Sequence, residues 1–458
     1  MALSLVILAA GQGTRMRSDL PKVLQPLAGR SLLAHVLTTA RTLGPRAIHV
    51  VYGHGGERVP AALAAADVAW VCQAEQLGTG HAVVQALPGV PDDDAVLVLY
   101  GDVPLIAAAT LADLVAQLAS ADLALLTAEL ADPTGYGRIV RAGDGRVLRI
   151  VEEKDADATE RALGEINSGI LAAPAGRLRG WLERVGCDNS QGEYYLTDVV
   201  GLAVADGAAV VARRAATAEE VLGVNTKGQL ARLERHYQRA QAERLMAAGV
   251  TLADPARFDL RGEVTVGRDV GIDIGVVLEG HVTLADGVQI GPHCVLRDTA
   301  VGAGSVIEAH SLVDGAVIGA GCRIGPFARL RPQTRLDDGA RIGNFVETKK
   351  ATIGAGSKVN HLSYVGDAEI GRAVNIGAGT ITCNYDGAAK HLTRIEDDVF
   401  IGSDTQLVAP VTVGAGATVA AGTTVTRDVP AQCLAVSRTP QRLVPGYRRP
   451  AKPAPKDD

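Results

Sequence analysis

From Ile318 onward an aliphatic residue returns at every sixth position: Ile318, Ile324, Leu330, Leu336 and Ile342. The same beat runs through Ile395, Ile401, Leu407, Val413, Val419 and Val425. Upstream it runs through Leu278, Leu284, Ile290 and Leu296, then slips by one residue to Val301, Ile307 and Val313. Glycine often follows the aliphatic, as in Ile318-Gly319, Ile342-Gly343 and Ile401-Gly402. A helix repeats every ~3.6 residues and a half-buried strand every ~2, so neither holds this phase. A coil of short flat faces does, with each aliphatic pointing inward and small residues turning the corners. Such periods mark a parallel β-helix. One coil cannot bury its own interior, so neighbours must stack on it. A Val- and Gly-rich β-sandwich, the competing architecture, would alternate with period two.

The first half reads differently. Leu3 to Ala9 is a continuous apolar run, expected to be a buried parallel strand. Strands are also expected at Ile48 to Tyr52, Val68 to Cys72 and Ala95 to Tyr100, and helices at Ser31 to Leu43 and Thr79 to Leu87. This alternation predicts an α/β sheet. Lys227 to Met246 has no Pro, one Gly, and Leu230, Leu233, Tyr237 and Leu245 at roughly helical spacing. It reads as a long exposed helix acting as a spacer between two rigid halves.

The chain has 458 residues, which is too long for one core. Aromatics are only 3%, as suits the narrow bore of a β-helix. A formal net charge of -6 gives wholesale nucleic-acid binding no electrostatic basis. Cys72, Cys187, Cys294, Cys322, Cys383 and Cys433 lie far apart without a CxxC pair and read as reduced thiols. The N-terminal run lacks a basic flank and feeds a Gly-rich turn, so it is not expected to be a signal peptide. No apolar run reaches the ~20 residues of a bilayer span. The expected location is the cytoplasm.

The first strand empties into Gly11-Gln12-Gly13-Thr14-Arg15-Met16, with Pro21-Lys22 close behind. Bare backbone N–H groups beside two cations suit a nucleoside triphosphate. Met16 stands where a dinucleotide fingerprint needs its third Gly. Ala95 to Tyr100 ends in Gly101-Asp102, at a strand's carboxyl end, where α/β sheets set their ligands. Asp102 is there either a Mg²⁺ ligand or a helix cap in a turn.

These motifs resemble the sugar-1-phosphate nucleotidyltransferases. Leu8 to Met16, Pro21 to Leu24, Gln73, Gly78-Thr79-Gly80, Tyr100-Gly101-Asp102, Gly135 to Ile139, Ile150 to Glu152, Glu165 to Asn167 and Gly223-Val224-Asn225 match in order. Joined to the hexad half, the chain is similar to the bacterial bifunctional enzymes that unite a UDP-N-acetylglucosamine pyrophosphorylase with a glucosamine-1-phosphate N-acetyltransferase. The resemblance implies a Rossmann-like nucleotidyltransferase domain at 1–227, a linker helix at 228–248 and a left-handed β-helix domain with a flexible C-terminal tail at 249–458, its nine or ten three-hexad coils running from Val264 to Val429. By resemblance, Leu8, Ala9, Ala10, Gly11, Gln73, Gly78, Thr79, Tyr100 and Gly101 hold the nucleotide, with Arg15 and Lys22 at its phosphates. Gly137, Glu152 and Asn167 hold the N-acetylglucosamine ring, and Asp102 and Asn225 bind Mg²⁺. Gln12 stands where the family commonly has Lys, which implies a weaker triphosphate contact.

In the hexad half the beat breaks where polar residues cluster, at 329–332, 347–350, 360–364 and 383–387. By resemblance, His361 is the general base of acetyl transfer. Arg331, Lys349, Tyr364 and Asn375 hold glucosamine 1-phosphate, and Asn384 and Tyr385 close its pocket toward acetyl-CoA. Ser403 supports either the oxyanion or the acetyl group, while Ala378, Ala421 and Arg438 line the acetyl-CoA groove. UTP and N-acetylglucosamine 1-phosphate complete the substrate set, and the fold type implies a homotrimer. The other nine histidines receive no role. The Pro-rich tail from Val444 is expected to be disordered. A single-activity nucleotidyltransferase with a structural β-helix, and a non-catalytic scaffold, are the rival readings. The first would lack His361, Tyr364, Asn384 and Tyr385, and the second would lose Lys22 or Asp102.

Overall fold

The computed structural model describes residues 1–53, 56–437 and 439–450. The chain divides into two compact units, Met1–Gln241 and the residues from Ala242 on.

In the first unit the N-terminal apolar run forms β1 (Leu3–Leu8). It is followed by β2 (Ala47–Tyr52), β3 (Ala69–Cys72), β4 (Ala95–Tyr100), β5 (Leu123–Glu129), β6 (Arg138–Arg141), β7 (Val147–Val151), β8 (Glu165–Pro174) and β9 (Val210–Arg214). The sheet order is β9-β5-β8-β4-β1-β2-β3, with β6 and β7 attached beside β8. β1 lies parallel between β2 and β4, whereas β8 runs antiparallel to both β4 and β5. Alternate side chains of β1 enter two cores. Leu5 and Ile7 pack with residues of α1 (Leu32–Thr42) on one face. Val6 and Leu8 pack with residues of α2 (Thr79–Ala86) on the other. A strand buried on both faces has no polar alternation, which is why the run reads as unbroken.

The helix expected at the joint is α3 (Lys227–Ala247), and it is less exposed than its sequence led us to expect. Leu233 joins a small core with Met16, Leu27, Leu32 and Val224. Glu234 Oε2 accepts from the Ala28 N–H at 2.6 Å, and Tyr237 packs edge-on against His35. The unit boundary falls inside this helix, not at its ends.

In the second unit the hexad aliphatics become three columns of paired parallel strands. One column runs Ile272, Ile290, Ile307, Ile324, Ile342, Val359, Ile376, Ile401 and Val419, each aligned with the next. A second runs Leu284, Val301, Ile318, Leu336, Ile353, Ile370, Ile395 and Val413. A third runs Leu260, Leu278, Leu296, Val313, Leu330, Thr348 and Val365. The architecture is a parallel β-helix of hexapeptide repeats, and one face stacks eleven strands. Where a threonine replaces the aliphatic the bore stays satisfied, since Thr348 Oγ1 lies 3.0 Å from Thr334 Oγ1.

The corners carry a second regularity. His293, His310, Phe327, Phe345 and Leu362 occupy equivalent turns with φ between 46° and 58°. The rings of the first four stack at 5.2, 4.9 and 5.4 Å between centroids. The step from Ile376 to Ile401 is longer than the others, because residues 385–390 project as a loop. Val444 to Pro450 form no helix or strand, and the last eight residues lie outside the described residues.

Candidate active sites

In the first unit, the carboxyl ends of β1, β3 and β4 open onto a cleft of about 430 Å³. Its walls include Leu8, Ala9, Ala10, Gly11, Gln73, Gly78, Thr79, Tyr100, Lys22 and Asp102. The turn after β1 is shaped by Gly13 (φ 65°), where a Cβ would lie 2.7 Å from that of Lys22. Close approach there sets the position of the Lys22 backbone. Gly78 (φ 114°) is pressed against Tyr194, whose carbonyl would sit 2.5 Å from an added Cβ. Gly101 donates its N–H to the Leu8 carbonyl at 2.9 Å and is closed in by Leu33 and Val23.

The charged centre is compact. The Lys22 ammonium pairs with Asp102 Oδ2 and reaches Asn225 Oδ1 at 3.2 Å. The Val224 N–H donates to the Asp102 carbonyl at 3.0 Å, which ties the two ligand loops together. One cation thus already sits between a carboxylate and an amide oxygen. These are hard donors, and Mg²⁺ takes few protein ligands because substrate phosphates and water supply the rest. Among the described residues no group of three or more His, Cys, Asp or Glu converges as a fuller metal cage would. The donor set therefore fits Mg²⁺.

Gly137, Glu152 and Asn167 also come together. The Asn167 N–H donates to the Gly137 carbonyl at 2.8 Å, and a Cβ at 137 would meet Glu152 Oε2 at 3.4 Å. Thr197 Oγ1 donates to Glu152 Oε1 at 3.0 Å. Burial pushes the Glu152 carboxyl up, and the nearby charges of Asp198, Asp155 and Glu193 add to it. Burial also raises the Tyr100 phenol strongly. Arg15 is not drawn in. It is exposed on the 3₁₀ turn Thr14–Met16 and is absent from the cleft wall. Sequence reasoning missed Gln76 and Glu193 in the wall, and Thr197 beside Glu152. Glu193 and Thr197 come from a loop without a repeat or glycine signature.

In the second unit, register assembles the site. His361, Ala378, Ser403 and Ala421 each stand two residues after an aligned aliphatic (Val359, Ile376, Ile401, Val419), so they share one turn on consecutive coils. His361 is exposed, and its Nδ1 lies 3.2 Å from Asn344 Oδ1 on the preceding coil. Arg331 and Lys349 follow the aligned pair Leu330 and Thr348. Arg331 is held by Glu347 at 2.8 Å. Asn384 is buried, donating to Asp367 Oδ2 at 2.6 Å and lying 3.4 Å from the Tyr364 hydroxyl. Asn375 sits one residue before Ile376, and Tyr385 is exposed on the projecting loop with its hydroxyl on the Gly387 carbonyl. Arg438 lies outside the described residues. Asn344, Glu347 and Asp367 were missed. Each lies one coil from its partner, and a six-residue beat does not announce contacts made across a whole turn.

Three family models match the chain. They are a MobA-like NTP transferase domain at residues 5–175, a GMPPB C-terminal domain at 260–336, and the bacterial transferase hexapeptide (six repeats) at 392–427. A protein of Alkalilimnicola ehrlichii named bifunctional protein GlmU is 62% identical, covering 98% of this chain and 97% of its own. Proteins of the same name from Azoarcus sp. and Nitrosospira multiformis are 60% and 57% identical, covering 98% and 99% of this chain and 100% and 99% of their own.

Proposed function

Because the chain belongs to the family of bifunctional GlmU proteins, we propose a division of labour in which residues 1–227 carry uridylyl transfer and the β-helix from residue 249 carries acetyl transfer. The protein is a bifunctional enzyme of UDP-N-acetylglucosamine synthesis. The single observation that carries the division is the presence, in one chain alike over its length to these relatives, of two separately built polar sites: Lys22 between Asp102 and Asn225, and His361 in its column.

Acetyl transfer comes first. The amine of glucosamine 1-phosphate attacks the thioester carbonyl of acetyl-CoA, the C–S bond breaks, and CoA leaves as the thiol. His361 takes the proton that the nitrogen sheds, with Asn344 accepting from Nδ1–H so that Nε2 is the basic atom. Arg331 and Lys349 hold the sugar phosphate, with Tyr364, Asn375, Asn384 and Tyr385 around the ring, and Ala378, Ser403, Ala421 and Arg438 toward acetyl-CoA.

In uridylyl transfer an oxygen of N-acetylglucosamine 1-phosphate attacks the α-phosphorus of UTP, and the bond to the β-phosphate breaks to release pyrophosphate. The attacking phosphate is already ionised, so positioning and charge neutralisation suffice. Lys22 serves the phosphates from the cleft wall, Arg15 would have to reach them from the exposed turn Thr14–Met16, and Gln73, Gly78 and Thr79 serve the nucleoside. Gly137, Glu152 and Asn167 serve the sugar. Asp102 and Asn225 would hold Mg²⁺, which supplies charge neutralisation at the triphosphate. The enzyme acts in the cytoplasm as a homotrimer in this reading, consistent with hexapeptide repeats and with no described helix long and apolar enough to cross a membrane.

Thiol release from acetyl-CoA with glucosamine 1-phosphate, without UTP, tests the second unit. No release would leave the β-helix a scaffold. His361→Ala should abolish that release and spare pyrophosphate release from UTP and N-acetylglucosamine 1-phosphate. Asp102→Asn should do the reverse. Loss of both activities in either variant would contradict the division.

A further inference from the structure

We infer that His81 is a positioning residue that sets the base preference of the nucleotide cleft, by holding the Gln73 carboxamide with its oxygen toward the base. The inference rests on the reading of Gln73 as a nucleoside contact. Gln73 is buried in the cleft wall. Its Nε2 lies 3.1 Å from the Gly78 carbonyl oxygen and 3.0 Å from His81 Nδ1. An amide nitrogen has two hydrogens, and both are accounted for there.

The directions of these bonds are forced. A backbone carbonyl only accepts, so the Gln73 nitrogen faces Gly78 and donates to it. Its second hydrogen then meets Nδ1 of His81, which must accept. A neutral imidazole with Nδ1 as acceptor carries its proton on Nε2. His81 Nε2 lies 3.1 Å from the Gln85 side-chain nitrogen, and turning that less buried carboxamide over presents its oxygen to the Nε2–H proton. The relay runs from Gly78 through Gln73 and His81 to Gln85. It leaves Gln73 Oε1 as a bare acceptor, with no protein partner among the described residues.

A bare acceptor chooses among pyrimidines. Uracil presents a ring N3–H between its two carbonyls, which donates to such an oxygen. Cytosine presents a lone pair at the same ring position, which the oxygen repels. His81 touches neither base nor phosphate in this arrangement. It acts through Gln73, and turning Gln73 over would cost the Gly78 bond as well.

The test compares UTP with CTP in pyrophosphate release with N-acetylglucosamine 1-phosphate, using the full-length enzyme. The readout is the ratio of the two kcat/KM values. His81→Ala should narrow that ratio by about tenfold, the scale of one misdirected buried hydrogen bond. His81→Asn, whose carbonyl can stand near the Nδ1 position, should keep most of it. His81→Lys offers only donors and should lose it, so the Asn and Lys variants decide the matter even if the alanine variant folds poorly. The melting temperature and the KM for N-acetylglucosamine 1-phosphate in each variant measure folding of the first unit. Equal falls for UTP and CTP in both polar variants, with the ratio unchanged, would overturn the inference and leave His81 a structural residue. Failure of the wild type to use either nucleotide would instead overturn the reading of the whole cleft.

Discussion

At the scale of single residues, the chemistry turns on who holds whom. The Lys22 ammonium rests on Asp102 and Asn225, the two groups that would hold Mg²⁺, in the wall of the cleft proposed for the triphosphate. Lys22→Met should lower pyrophosphate release by about 10²–10³-fold, the effect of losing one preorganised charge, and leave thiol release unchanged. Asn344 lies beside His361, and Asn344→Ala should cut thiol release by about tenfold with uridylyl transfer intact, because the imidazole loses the partner that fixes its tautomer. Glu152 is raised by burial, so its folded form holds a proton more tightly than the unfolded chain. Stability therefore falls as pH rises from the ordinary carboxylate value through the raised one. Glu152→Gln should flatten that part of the melting-temperature profile between acid and neutral pH. Lys22, Asp102 and His361 could be proposed from the sequence because each stands in a motif of contiguous residues. Asn344, Asp367 and Thr197 were not, since each meets its partner across a coil or a loop.

At the scale of elements, the hexad beat was legible over most of its course because each inward position repeats the same environment. The structure adds what the beat leaves out. Thr348 stands in a column of aliphatics, paired with Thr334, and so reads in sequence as an interruption when the coil is continuous. The glycines that follow the aliphatics are there for closeness between coils. At Gly343 an added Cβ would lie 1.9 Å from the Asn360 carbonyl oxygen, one residue from His361. Gly343→Ala should lower the midpoint of denaturation by about 1–3 kcal/mol in stability and depress thiol release. In the first unit Gly13→Ala should displace Lys22 and lower pyrophosphate release with little change in melting temperature, since the turn is exposed on one side.

At the scale of the whole molecule, helix α3 stands where the spacing put it, but its partial burial was not legible, because the same apolar spacing fits an exposed helix and a docked one. Charged residues dominate a composition even when Leu233, Ala242 and Leu245 are buried. Light scattering should return three times the 47.3 kDa chain mass if the proposed trimer is right. The stretch between Ile376 and Ile401 holds a different lesson. Residues 385–390 leave the stack, yet Ala368 still aligns with Thr393 and Ile376 with Ile401. Coils above and below keep their step as though nothing had been added. A trunk with this property can gain, lose or trade a branch without being rebuilt. The appetite of such an enzyme for one acceptor over another can then drift by grafting, while the timber that bears the graft stays the same age.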